Sequence, residues 1–187
     1  MYLQEYILEA IRDELRLGLD YITNPNRSIR IINDKDVPAY SGEEFIGIYG
    51  ASYTNEYDRL AISRKDTYEF IIGITRRMSG IPVDSTGETI YTQDESLISR
   101  NKSSMLNRAR EIIQLLEYNW DIVGKIKSQA SSDLIEVCIL SPLALESSSP
   151  VEEVDASHFH LENDNDNPSG LLLELQFSGI ESYVSKI

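Results

Sequence analysis

Glu44-Phe-Ile-Gly-Ile-Tyr-Gly-Ala-Ser52 and Thr67-Tyr-Glu-Phe-Ile-Ile-Gly-Ile-Thr-Arg-Arg77 are the runs whose reading decides this fold. Both lie inside the segment Glu43–Met78 and are rich in aromatic and β-branched residues. In the second run Tyr68, Phe70, Ile72 and Ile74 share one parity, while Glu69, Ile71, Gly73 and Thr75 share the other. That alternation is the period of a strand with one apolar and one mixed face. The apolar face needs a helix layer. The mixed face is too apolar and too long to be left bare, so neighbouring subunits are expected to cover it.

Arg59-Leu-Ala-Ile-Ser63 leads into the second run, and Arg64-Lys65-Asp66 between them reads as either a turn or a bulge in one long bent strand. Tyr53–Asp58 reads as the polar connector of a hairpin. No helical pattern intervenes, so the sheet is expected to be a largely antiparallel meander.

Working outward, residues 2–22 carry Leu3, Ile7, Leu8, Ile11, Leu15, Leu19 and Ile22 at spacings of three and four. This predicts an amphipathic N-terminal helix, ended by Thr23-Asn-Pro-Asn26. Ser28–Ile32 reads as a short strand and Asn33–Gly42 as a loop. Ser79–Ser96 reads as a long loop, a kind that is often functional. A second helix is expected within Ser96–Gln129, with Met105, Ala109, Ile112, Ile113, Leu116, Trp120 and Val123 as its apolar stripe. Ser103 or Ser104 is its expected cap, and Gly124 its end or break. Leu134–Leu140 and Gly170–Ser178 close the chain as strands of a hairpin with a long insertion.

That insertion, 142–169, holds Glu146, Glu152, Glu153, Asp155, Glu162, Asp164 and Asp166 with no Lys or Arg. It reads as a solvated acidic loop, with Glu152, Glu153, Asp155, Glu162, Asp164 and Asp166 as candidates to face a channel or a partner. The fold class is therefore α+β, in one domain spanning 1–187.

The chain carries a formal net charge of −14, which argues against binding nucleic acid through clustered cations. An acidic wall can, however, let nucleic acid pass without sticking. Simple solubility is the plainer reading of the same charge. No apolar run is long enough to span a membrane, and no signal-peptide pattern opens the sequence. The single cysteine, Cys138, excludes a disulfide within the chain. Synthesis in a reducing cytoplasm is expected.

Candidate chemistry is sparse. His158 and His160, spaced i and i+2, could hold a divalent metal with Glu162 or Asp164; exposed loop histidines are the plainer reading. Asn163–Gly170 imitates a calcium loop, but a frame begun at Asn165 has Gln176 at the twelfth position, followed by strand rather than helix. No nucleophile elbow, Walker loop or dinucleotide fingerprint occurs. Adjacent carboxylates such as Glu43-Glu44 read as solvated, and Arg76-Arg77 as a basic spot paired with an acidic neighbour. No catalytic, cofactor or metal site is assigned, and a non-enzymatic role is expected. Tyr49, Tyr53, Tyr57, Tyr68 and Tyr91, with Ile71, are the candidate subunit or partner interface. Tyrosine at half-exposed strand positions buries area at low entropic cost. Ordinary cross-strand packing is the competing reading for the same residues.

The order helix, strand, loop, strand, long strand, long loop, helix, strand, insertion, strand is similar to that of the tail terminator (tail completion) proteins of long-tailed bacteriophages. Tyr2–Ile22, Glu44–Arg77, Met105–Val123 and Leu134–Phe177 carry the resemblance. It is one of architecture and length, and it includes a long helix packed across a meander. No signature motif transfers a family residue, and the 142–169 insertion departs from the compact pattern. The resemblance implies a structural virion protein: a ring, usually a hexamer, at the junction of tail tube and head-side connector. Its implied partners are further copies of itself, the tail tube protein and the connector or stopper, with the sheath as a further candidate. DNA would pass through the ring without specific binding. The alternatives are a head–tail stopper or tube-like protein, a metal-binding module using His158 and His160, and an interaction domain unrelated to phage.

Overall fold

A computed structural model describes residues 3–19, 21–22, 27–32, 44–58, 63–77, 95–130, 137–139, 141–155 and 168–185. Its elements run α1 (Leu3–Gly18), β1 (Arg27–Ile31), β2 (Glu44–Asp58), β3 (Ser63–Arg77), α2 (Glu95–Leu116), α3 (Trp120–Ala130), β4 (Val137–Ile139), β5 (Ala144–Ser148), β6 (Glu152–Asp155) and β7 (Pro168–Ser185). The class is α+β.

The seven strands form one sheet in the order β1-β2-β3-β7-β4, with β5 and β6 also on β7. β4, β5 and β6 lie end to end along the outer side of β7, opposite residues 182–184, 175–178 and 168–172 respectively. Three short pieces thus make up one edge, and β1 is the other. Every pairing is antiparallel except β1 with β2, which is parallel. Of the neighbours in the sheet, β2 and β3 follow each other in sequence as a hairpin, while β3's second neighbour β7 arrives only after all three helices.

Strand parity builds the core. Ile46, Ile48, Phe70, Ile72, Ile74, Leu173, Leu175 and Phe177 are all buried on one face. They join one apolar cluster with Ile7, Ile11 and Leu15 of α1, Met105, Ile112 and Leu116 of α2, and Ile122 and Ile126 of α3. Each such side chain contributes roughly 1.5–3 kcal/mol when fully buried. The predicted stripes of both helical segments are thus largely realised.

Several sequence expectations are corrected. The expected single helix breaks at Tyr118, not at Gly124. Tyr118 has a positive φ of 54°, and Asn119 caps α3, accepting at Oδ1 from the Asp121 amide at 2.9 Å. Gly124 lies within α3, as Ser103 and Ser104 lie within α2, and Trp120 leaves the stripe at 57% exposure. Ile22 is likewise exposed, beyond the end of α1. Tyr53–Asp58 is not a connector but the second half of β2, paired residue for residue with Ser63–Tyr68 of β3. Finally, the acidic insertion is not all loop. Ala144–Ser148 and Glu152–Asp155 are edge strands held by backbone bonds to β7, which ask little of side-chain composition.

The reading of Arg64–Asp66 as part of one long strand holds, but no bulge falls there. These three residues pair in unbroken register with β2 and β7, and the register shift against β7 between Asp66 and Tyr68 places the extra residue on β7. β2 shifts between Gly50 and Ser52, and β5 between Leu145 and Ser147. These irregularities meet near one row, Ser52–Glu69–Ser178–Ala144. Bulges sharpen local twist, so this row separates the main body of the sheet from an arm made of the far ends of β2, β3 and β7 with β4, the last of which is in contact with α3. Gly179 stands beside this row with a φ of 136°, and a Cβ there would meet the Pro142 carbonyl oxygen at 2.3 Å. Only glycine lets residues 141–143 cross β7 so closely. Leu143 is then buried, and its carbonyl accepts from the Tyr118 amide at 2.9 Å.

Candidate functional site

The face of the sheet opposite the helices is built from the second parity. Its rows are Ser28–Phe45–Thr75–Leu172–Glu152, then Arg30–Gly47–Gly73–Glu174, then Tyr49–Ile71–Gln176–Ser147. Gly47 and Gly73 face each other across β2 and β3, and the Tyr49 ring covers both. A Cβ on Gly47 would stand 2.9 Å from that ring, and one on Gly73 3.4 Å from it. The ring fills the space that two missing side chains leave, and Tyr49 remains 36% exposed. Burial raises the Tyr49 hydroxyl's pKa, and the Glu174 carboxylate raises it further. Beside the ring, Ile71, Ser147, Ser148, Ser149, Glu174 and Gln176 line a shallow open depression. None of the three helices lies over this face; their buried side chains belong to the opposite one.

Tyr49 and Ile71, both anticipated as interface residues, are therefore direct cross-strand neighbours on this face. Tyr68 is corrected. It is 7% exposed, sits in the core and stacks on Phe70 with ring centroids 6.5 Å apart. Its parity with Phe70 and Ile72 already placed it there. Tyr53 and Tyr57 lie on the arm portion of β2. Tyr91 lies outside the described residues, as do Glu162, Asp164, Asp166, His158 and His160. Of the remaining acidic candidates, Glu152 and Glu153 are exposed on β6, and Asp155 ends that strand. Glu153 pairs with Lys102 of α2 at 2.7 Å.

A second constellation, at the join of helices and sheet, escaped sequence reading. Glu44 opens β2 on the core parity and is only 2% exposed, so the expectation of a solvated carboxylate is overturned. Arg76, its cross-strand partner, donates from Nε to Oε2 at 2.8 Å, and Arg108 of α2 donates from Nε to Oε1 at 2.9 Å. The Tyr21 hydroxyl also donates to Oε1. The Arg108 and Arg27 guanidinium groups lie 5.5 and 5.9 Å from the centroid of the Tyr21 ring. Burial pushes the Glu44 pKa up, but the Tyr21 hydrogen bond and the two guanidinium groups outweigh it and hold it below the ordinary carboxylate range. Tyr21 moves the opposite way: burial first, then the Glu44 charge and hydrogen bond, raise it far above an ordinary phenol. One signal could have revealed this latch: Glu44 shares its parity with Ile46 and Ile48. The expectation that Arg76 pairs with an acidic residue is met here.

This constellation ties the end of α1, β2, β3 and α2 together, and its polar atoms are spent on one another. These pairings make it a structural latch. Among the described residues no group of three or more His, Cys, Asp and Glu side chains is arranged to hold a metal. No helix among them is long and apolar enough to cross a membrane. No family model matches the chain, and no curated protein matches it in sequence.

Proposed function

We propose that this protein is a structural ring subunit of a phage tail or neck, a tail terminator at the junction of tail tube and head-side connector. The observation that carries the reading is the second sheet face. It bears Phe45, Ile71 and Leu172 at intermediate exposure and Tyr49 exposed, with no helix of the described chain over it. A face of this composition is suited to contact with another protein surface. The resemblance in element order supplies the kind of assembly: a ring, usually of six copies, with the meander and a helix across the sheet as the pattern compared. Its partners are then other copies of the chain, the tube protein and the connector or stopper.

The charge fits that role. A net charge of −14 per subunit, repeated around a ring, repels the DNA backbone along a channel instead of binding it. No catalytic step belongs to this reading, and virion assembly in the host cytoplasm is its setting. Imaging the purified full chain by electron microscopy tests it. Closed rings with a channel wide enough for duplex DNA are expected, together with no retention of duplex DNA at low salt. A protein that stays monomeric at high concentration and does not cap tail tubes overturns it.

A further inference from the structure

The two open edges of the sheet differ in charge in a way that bears on how copies meet. β1 is one edge and presents Arg30, exposed, on the outer face. The other edge is the end-to-end series β4, β5 and β6, where Glu152 on β6 is exposed on that same face. Among the described residues no strand pairs the free side of β1 or of β6. Unpaired strand edges invite backbone pairing, and proteins often blunt them with charge. Blunting works when both edges carry the same sign. Here the signs are opposite, so copies of the chain attract edge to edge.

Two further features of the register fit this. β1 and β6 end the same rows of the sheet: Ser28 and Glu152 terminate one row through Phe45, Thr75 and Leu172. A second copy added there continues the rows with little shift along the strands, which favours closure into a ring over a rising filament. Directions also match. β1 is parallel to β2, β2 antiparallel to β3, β3 to β7, and β7 to β6. β6 of one copy therefore meets β1 of the next as an antiparallel pair, which needs no inversion of either subunit.

We infer that copies of this chain join head to tail, β1 of one protomer adding to β6 of the next, with Arg30 set against Glu152. With the rows continued, Ser28 stands opposite Glu152 and Arg30 is its diagonal neighbour, roughly 7–8 Å away, within reach of long side chains. Glu153 does not compete, because it points to the helix face and pairs with Lys102. This assignment rests on the ring reading and adds to the outer face an edge contact through which neighbouring copies join.

Charge exchange tests it. Arg30→Glu and Glu152→Arg, both at exposed positions, should each raise the protein concentration for half-assembly at least tenfold, with thermal unfolding of the subunit unchanged. The double variant Arg30→Glu/Glu152→Arg should return to near the wild-type concentration. An equimolar mixture of the two single variants should also assemble, in rings that alternate the two chains. If both single variants assemble as the wild type does, or the double variant stays as impaired as the singles, the edge assignment is wrong and the ring reading stands. If the wild type itself never assembles, the ring reading fails first.

Discussion

Ile71 and Ile72 are adjacent in β3 and chemically identical, yet one faces the depression on the open side of the sheet and the other is buried under the helices. The contrast extends across the strands. The inner face is Ile46, Ile48, Phe70, Ile72, Ile74 and their partners on β7, close-packed against three helices. The outer face has two glycines where side chains would stand, one tyrosine laid over them, and polar residues at its margin. The inner face is complete within one chain. Among the described residues the outer face is neither a second core nor a fully solvated surface, and that is the ground for the proposal that other proteins cover it.

Mutations can break or sharpen that contrast, beginning with the largest effect. Replacing Glu44 with Gln leaves Arg76 and Arg108 without their buried carboxylate and should cost about 3–5 kcal/mol in denaturant unfolding. The latch also sets a pH dependence. Because the folded Glu44 titrates below its unfolded value, its stabilisation is full above about pH 4.5 and is lost as pH falls further. Tyr21 acts at the other end: its raised pKa means stability declines as pH rises above about 10. Unfolding of Glu44→Gln across the acid range should lack the acid component that the wild type shows.

Next, Ile72→Ala should cost about 2–5 kcal/mol, since it opens a cavity in the core. Gly179→Ala is expected to cost about 1–3 kcal/mol, because a Cβ meets the Pro142 carbonyl at a left-handed φ. Unfolding midpoints measure both. Smallest is Ile71→Ala, at no more than about 1 kcal/mol for the isolated subunit, while it shifts assembly to higher protein concentration. Equal stability losses at 71 and 72 would erase the distinction between the faces.

Much of the inner face was legible in the sequence, for parity and helical spacing are direct consequences of burial. β3, β7 and α1 follow from alternation and from the Leu3–Leu19 stripe alone. Tyr49 and Ile71 were also legible, as half-exposed residues of strong strands. What escaped has a common cause: it depends on partners distant in sequence. Ala144–Ser148 and Glu152–Asp155 become strands only because β7 offers them a backbone edge. The halt at Tyr118 depends on Leu143, which returns to accept its amide. Glu44 looks like any surface carboxylate until Arg76 and Arg108, contributed by β3 and α2, are brought to it. The parallel pairing of β1 left no local trace at all.

The outer face carries the central claim, and the mass and shape of the assembled wild-type protein test it most directly. Sedimentation across a wide concentration range, with imaging of the largest species, should give one closed ring of a fixed number of subunits. A monomer that persists at the highest concentration, with Ile71→Ala indistinguishable from it, would show that this face needs no partner.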